Sequence, residues 1–247
     1  MQPDPDTPLL SDTDPAPVTV QPGRARLLIT CEHAGNAVPV ALGDLGVAHA
    51  DLYDHIGWDP GAWALALRLG RMLDAPVIGQ PYSRLVIDCN RPFGAPDLVP
   101  GMSDKRAVPG NHGLTKAALK QRWDAIHQPF HKALADMAEQ AQALLSVHSF
   151  TAQRQGDTTR RAVHIGVLAR QANPLARALL KTRSDGPVIA NAPYAIEDAS
   201  DYTIPVHAEP RNLPHALLEV RNDLIADPGG IETVAAALTA QISEFTS

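Results

Sequence analysis

The sequence has little of what several classes of protein require. Its 247 residues include two cysteines and 4% aromatic residues, and the net charge at pH 7 is -6. No stripe of lysine and arginine marks a nucleic-acid-binding surface. No apolar run reaches the roughly 20 residues that span a bilayer, and no basic stretch followed by an apolar run indicates a signal peptide. We therefore predict a cytoplasmic protein that binds neither nucleic acid nor membrane.

Each cysteine lies within a largely apolar run. Cys31 closes the run 27–31, and Cys89 closes the run 85–89. Such runs are typical of strands that are covered on both faces. The sequence therefore predicts two small buried thiols and no disulfide.

The composition changes sharply near Gly23. Residues 1–22 are rich in proline, aspartate and threonine and lack hydrophobic periodicity. They are predicted to form a flexible acidic segment outside the fold. A single folded domain is predicted to span residues 23–247.

Within that domain, apolar runs typical of strands alternate with segments that have a helical period. Strands are predicted at 27–31, 76–79, 85–89, 144–148, 163–168, 187–191 and 216–220. Helices are predicted at 62–73, 115–145, 172–182 and 230–245. Pro129 is expected to kink or interrupt the long helix, and the long proline- and glycine-rich loop 92–113 is typical of a functional segment. The alternation predicts an α/β fold, a single three-layer α/β/α domain around a mixed, mostly parallel sheet.

Ligands in such folds bind at the carboxyl ends of the strands. Polar residues follow five of the predicted strands: Glu32 and His33, Asp88 to Arg91, His148 and Ser149, Asn191, and Glu219 to Asp223. A single residue of this kind is explained by a cap or a turn. Five of them together indicate a site.

Two of these strand-end residues are histidines. His33 and His148, with one carboxylate, are the minimum for a catalytic zinc site that keeps one position open. The third ligand is a choice between Glu32, Asn36 and Asp59. Asp59 is favoured as a carboxylate, although it also stands where a helix N-cap is expected, before a proline.

Cationic and amide side chains surround the run 85–89. Arg84, Asn90 and Arg91 are predicted to bind substrate, because arginine forks suit planar carboxylates. The alternative is that one arginine only pairs with Asp88.

Glu219 lies in the apolar run 216–220. A buried carboxylate is costly unless it is paired or near a metal, so Glu219 is predicted to be the general base. A salt bridge to Arg221 or Arg91 is the alternative. Arg221 and His207, which lies in a proline-containing loop, complete the predicted substrate-binding residues.

Several motifs together resemble the N-formylglutamate amidohydrolase family over residues 27–225. The motifs are CEHAGNAVP (31–39), HIGWDPGA (55–62), YSRLVIDCNRP (82–92), SDKRAVPGN (103–111), SVHSF (146–150) and LEVRNDLI (218–225). That family is similar to the zinc carboxypeptidase and aspartoacylase group, which implies a central mixed sheet flanked by helices. One departure matters: that group has His-x-x-Glu where this chain reads His33-Ala34-Gly35-Asn36, so the third ligand must lie elsewhere.

The resemblance implies metal-assisted amide hydrolysis. By this likeness His33 and His148 would hold the metal, most simply Zn²⁺, and Glu219 would move the proton. Asp59, chosen because the motif lacks its glutamate, is the predicted third ligand. Arg91 would act in catalysis, and Arg84, Asn90 and Arg91 would bind the substrate and polarise its carbonyl. N-formyl-L-glutamate, giving formate and glutamate, is the expected substrate. The alternatives are another N-acylamino acid or short peptide, or a carboxylate-binding protein without catalysis.

Overall fold

The computed structural model describes residues 7–245. The strands are β1 (Thr19–Gln21), β2 (Leu27–Cys31), β3 (Val77–Gly79), β4 (Met102–Ser103), β5 (Arg106–Ala107), β6 (Ala143–Phe150), β7 (Ile165–Leu168), β8 (Val188–Ala190) and β9 (His215–Arg221). The α-helices are α1 (His49–Leu52), α2 (Ala62–Leu73), α3 (Lys116–Arg122), α4 (Gln128–Ala138), α5 (Pro174–Leu179) and α6 (Pro228–Ile242). Among these residues, no helix combines the length and the apolar composition that crossing a bilayer requires.

One sheet organises the molecule, with strand order β1-β3-β2-β6-β9-β7-β8. The pairs β3–β2, β2–β6, β6–β9 and β7–β8 are parallel. The pairs β1–β3 and β7–β9 are antiparallel. The prediction of a mixed, mostly parallel sheet is therefore confirmed, and β4 pairs only with β5 in a separate hairpin.

Helices cover both faces of this sheet. On one face, Leu69 of α2 belongs to the same core cluster as Leu145 and Val147 of β6. On the other face, Phe130 of α4 belongs to a second cluster with Leu144. Successive residues of a strand point to opposite faces, so β6 contributes to both cores. The predicted three-layer α/β/α arrangement is confirmed.

The two cysteines are free and buried, as predicted. Cys31 lies in the first core cluster and Cys89 in the second. Because these clusters occupy opposite faces of the sheet, the thiols are kept apart.

The prediction of a strand over 85–89 is wrong. This segment forms turns, and its side chains are buried in the second core cluster. Its carbonyls find side-chain partners instead of a neighbouring strand: Asn111 donates to Leu85 O at 2.8 Å, and Arg122 donates to Val86 O at 3.0 Å. An apolar run reports burial, and these side-chain donors allow a buried backbone that is not a strand.

The long helix is interrupted before Pro129, as expected. Residues Trp123–His127 form a π-helical turn between α3 and α4. Pro129 lacks the N–H that an α-helix needs at this point, so the hydrogen-bonding pattern changes there. The helix ends at Ala138, earlier than predicted, and the chain enters β6 at Ala143.

The segment 1–22 was expected to lie outside the fold, and for its described part this is wrong. Residues 19–21 form β1 at the edge of the sheet. Leu9 is only 3% exposed in the second core cluster, and Tyr82 Oη donates to Pro15 O at 2.5 Å. Proline and aspartate suppress periodicity without preventing this packing. Residues 1–6 lie outside the described residues.

The packing of this segment gives a stability prediction. Leu9→Ala should lower the free energy of unfolding by about 2–5 kcal/mol, because it removes a buried leucine side chain. The matched control is Val20→Ala in β1, where the side chain is 50% exposed, and its effect should stay within about 0.5 kcal/mol. Urea unfolding of the full chain measures both. Equal, negligible effects would mean that the segment does not pack on the domain.

Candidate active site

A cavity of about 620 Å³ lies where β2, β6 and β9 end. Its wall includes His33 just after β2, His148 on β6 and Glu219 on β9. The register of β6 and β9 pairs His148 with Glu219, so both side chains leave the same face of the sheet. The predicted loop 92–113 contributes part of the wall: Asp97, Pro100, Met102, Ser103 and Asp104.

His33, Asp59 and His148 form a compact buried cluster. One potential ligand atom from each lies within 4.8 Å of the others. Asp59 Oδ2 is 3.3 Å from His33 Nδ1 and 2.9 Å from His148 Nδ1. Of the three candidates for the third ligand, Asp59 is the one whose carboxylate lies beside the Nδ1 atoms of both histidines. Asn36 lies elsewhere, with its Nδ2 donating to Leu52 O at 3.3 Å.

Each histidine of the cluster has a second carboxylate on its other nitrogen. His33 Nε2 donates to Asp88 at 2.7 Å, and His148 Nε2 donates to Glu32 at 2.7 Å. Such outer carboxylates orient the rings of metal-binding histidines and raise their basicity. Both Nδ1 atoms therefore face the same point beside Asp59. Sequence reasoning missed this role of Glu32 and Asp88.

Asp59 is not the N-cap of α2. The capping residue is Gly61, and no side chain caps the helix. The Asp59 carboxylate instead accepts the Ser149 N–H at 3.1 Å, while the Asp59 N–H donates to His33 O at 3.2 Å. These contacts tie the segment before α2 to the ends of β2 and β6.

Burial and opposite charges compete in this cluster. Burial raises the pKa of the Asp59 carboxyl, but the charge of His33 and a hydrogen bond from His148 outweigh it and hold the pKa far below its usual range. Burial lowers the pKa of His148, but its bonds to Asp59 and Glu32 raise it well above the ordinary value. Likewise, burial is outweighed at Glu32 by the bond from His148, and its pKa falls to about 2.

The donor set fits a divalent cation. His33 Nδ1 is buried without a hydrogen-bond partner among residues 7–245. His148 Nδ1 faces the Asp59 carboxylate at 2.9 Å. A bound cation would take the place of the proton that lies between these two groups. Two imidazole nitrogens and one carboxylate are a common catalytic zinc donor set.

Glu219 is an unpaired carboxylate beside this cluster. It is 8% exposed, and its Oε2 has no hydrogen-bond partner in the described part of the chain. Burial raises the pKa of Glu219 to about 7. The alternative salt bridge to Arg221 is wrong, because Arg221 pairs with Asp223 at 2.7 Å.

Arg84 and Arg91 both line the cavity. Arg84 donates to Asp88 through Nη2 at 2.7 Å and Nε at 3.0 Å, so the expected alternative of an Arg–Asp88 pair is realised. Arg91 donates to Asp97 at 2.7 Å and to Ser200 O. Both guanidinium groups are therefore held in the wall by acidic partners.

Asn90 also lines the cavity, but its polar atoms are occupied by one segment. Its Nδ2 donates to Asp201 at 3.0 Å, and its Oδ1 accepts the N–H groups of Tyr202 and Thr203, both at 3.0 Å. We therefore assign Asn90 first to holding residues 201–203 beside the cavity.

His207 and Arg221 do not line the cavity, so we remove both from the substrate-binding candidates. His207 is buried and lies behind the wall. Its Nε2 donates to His131 Nδ1 at 2.9 Å, and Arg221 additionally donates to Arg161 O at 3.0 Å. Their polar groups serve the protein interior.

Two further histidines, His127 in the π-helical turn and His131 in α4, support backbone next to this wall. His131 Nε2 donates to Cys89 O at 2.6 Å, and His127 Nε2 donates to Arg91 O at 3.0 Å. They hold the backbone on both sides of Asn90. Their spacing of four places them on one helix face, which is the signal the sequence offered.

Comparison with known proteins agrees with this geometry. A family model of N-formylglutamate amidohydrolase matches residues 25–226. The chain is similar to a gene product of Agrobacterium tumefaciens of known crystal structure, with 33% identity and a TM-score of 0.89 over 96% of this chain and 97% of that one. No protein of curated function matches it.

A second solved structure supports the fold alone, because its sequence is more distant. It is an N-formylglutamate amidohydrolase from Ralstonia eutropha JMP134, with 19% identity and a TM-score of 0.74 over 94% of this chain and 99% of that one. The family match covers most of the chain and includes every member of the histidine and carboxylate cluster. This chain therefore belongs to the N-formylglutamate amidohydrolase family, and with it to the hydrolases that act on amide bonds.

Proposed function

We propose that the protein is a zinc-dependent amidohydrolase that cleaves N-formyl-L-glutamate to formate and L-glutamate. The observation that carries this proposal is the cluster of His33, Asp59 and His148 beside the unpaired carboxylate of Glu219. The substrate is proposed from the family to which the chain belongs. A small molecule of this size suits the cavity.

The proposed metal is held by His33 Nδ1, His148 Nδ1 and the Asp59 carboxylate. This set of two nitrogens and one carboxylate would suit Zn²⁺. When bound, such a cation polarises the scissile carbonyl and lowers the pKa of the attacking water. Asp88 and Glu32 keep the two imidazoles in orientation through their other nitrogens.

Glu219 is the proposed general base. It takes a proton from the attacking water and returns it to the nitrogen of the leaving amine. Its free Oε2 is available for this transfer, since no protein group in residues 7–245 occupies it. A pocket that only bound carboxylates would gain nothing from a buried, unpaired acid, which argues against a non-catalytic role.

Arg84 and Arg91 supply positive charge in the same cavity. We propose that they stabilise the charge that develops on the scissile carbonyl oxygen and attract the substrate carboxylates. Their ion pairs with Asp88 and Asp97 hold the guanidinium groups in place before substrate binds.

The cytoplasmic location of the protein stays a prediction.

A hydrolysis screen tests the proposed function directly. Purified protein should release formate from N-formyl-L-glutamate, lose that activity with a chelator and regain it with Zn²⁺. N-acetyl-L-glutamate and short peptides serve as comparison substrates. Preference for another acyl group would correct the substrate, while full activity without metal would refute the mechanism.

Replacing the base should separate chemistry from metal binding. Glu219→Gln keeps the shape of the side chain but removes the proton acceptor, so kcat should fall by about 10²–10⁴-fold. Bound zinc, measured by elemental analysis, should be unchanged. Loss of zinc in this variant would show that Glu219 is a ligand.

Replacing the third ligand should give the opposite pattern. Asp59→Ala should weaken zinc binding by at least about 100-fold, because even an outer partner of a metal site typically contributes about 10–100-fold. The control is His55→Ala: His55 lines the same cavity but pairs with Asp54 and Asp104, away from the cluster. Normal zinc content in Asp59→Ala would exclude Asp59 from the metal site.

A further inference from the structure

The proposed substrate is a dicarboxylate, and its acidic side chain needs a recognition group in the cavity. The two arginines already discussed have acidic partners: Arg84 pairs with Asp88, and Arg91 pairs with Asp97. Each of these guanidinium groups is therefore already shared with a protein carboxylate. A third arginine, Arg154, lines the same cavity. The inference below rests on the proposed function and concerns its selectivity.

Arg154 differs from the other two in its partners. Within residues 7–245 its guanidinium forms no ion pair with a carboxylate, and its one hydrogen bond runs from Nη2 to Tyr194 Oη at 3.2 Å. The carboxylate of Asp157 accepts the Arg154 main-chain N–H instead. The positive charge of the Arg154 side chain is thus available to an anion in the cavity.

Tyr194 lines the cavity beside Arg154 and has a hydroxyl hydrogen to donate. Its oxygen accepts from Arg154 at 3.2 Å and from Arg161 at 2.9 Å. A phenol oxygen has two acceptor sites and one hydrogen, so both acceptor sites are used and the hydrogen is left. No acceptor for that hydrogen occurs in the described part of the chain. Arg154 and Tyr194 therefore offer a cation and a neutral donor side by side.

Arg161 holds this pair in place from outside the cavity. Its guanidinium lies 5.4 Å from the centre of the Tyr194 ring and 5.6 Å from that of the Phe150 ring. Contacts of this kind between a guanidinium and an aromatic face are favourable. Phe150 ends β6, the strand that carries His148, so one strand positions both the proposed metal ligand and this support.

The cavity also offers apolar surface for the methylene groups of such a side chain. Leu168 and Leu217 line it, and both are almost fully buried. We propose that Arg154 and Tyr194 bind the side-chain carboxylate of the substrate and thereby select acidic N-acylamino acids. Arg84 and Arg91 then bind the reacting amide and the α-carboxylate of the substrate.

The test compares two substrates of the same shape. N-formyl-L-glutamate ends in a carboxylate and N-formyl-L-glutamine in a neutral amide of nearly the same shape, so the ratio of their kcat/KM values reports recognition of the carboxylate. In Arg154→Gln this ratio should fall by about 10–100-fold, as expected for loss of a charged hydrogen bond. The loss of kcat/KM should be smaller for N-formyl-L-glutamine than for N-formyl-L-glutamate. Tyr194→Phe should lower the ratio by about 2–10-fold, as for a neutral hydrogen bond.

The matched control is Arg160→Gln. Arg160 lies on the same loop, pairs with Asp223 and does not line the cavity, so the ratio should stay at the wild-type value. An unchanged ratio in Arg154→Gln would overturn the inference. Equal losses with both substrates would also overturn it, because Arg154 would then serve the α-carboxylate or the loop.

Failure of the proposed function gives a different result. In that case wild-type protein hydrolyses neither N-formyl substrate. The Arg154 inference is then tested by calorimetry with L-glutamate and L-glutamine as probes. Tighter binding of glutamate to wild type, lost in Arg154→Gln, would support it, and equal affinities in wild type would overturn it.

Discussion

The carboxylate of Asp59 lies between the imidazoles of His33 and His148, and the rest of the site is arranged around that contact. A buried carboxylate is costly unless cations or donors surround it. The fold meets this requirement by bringing together the ends of β2 and β6 and the segment before α2. Asp88 and Glu32 then hold the outer nitrogens of the two rings. Each of these buried groups depends on its neighbours, so the site forms as a unit with the sheet.

Two buried carboxylates of this site, Asp59 and Glu219, have pKa values shifted in opposite directions. Hydrogen bonds and positive charge more than offset burial at Asp59, so it stays ionised. Glu219, on the neighbouring strand to His148, is buried with no hydrogen-bond partner for its Oε2 among residues 7–245, and burial raises its pKa to about 7. Titratable groups whose environments push their pKa values apart are typical of sites in which the groups have different roles in proton transfer. The family match supports a hydrolase that acts on amide bonds.

Much of the fold was predictable because hydrophobic period reports secondary structure well in long segments. The strand at 27–31 and the helix at 62–73 were predicted with their observed bounds. The errors occurred in segments where the apolar pattern did not indicate the backbone conformation. Residues 85–89 are as apolar as a strand, yet side-chain donors satisfy their carbonyls in turns. Residues 19–21 have the composition of a linker, yet they pair antiparallel with β3 at the edge of the sheet.

By itself the sequence determined the chemistry available: histidines and carboxylates at strand ends, the motifs of the family, and Glu219 in an apolar strand. Only the tertiary structure decided which of these groups meet. It placed Asp59, and neither Glu32 nor Asn36, in one compact group with His33 and His148, and it placed His207 and Arg221 outside the cavity lining. The physical reason is that Asp59 is 26 residues from His33 and 89 from His148. Contacts at that separation depend on strand order and side-chain direction, which local sequence patterns do not encode.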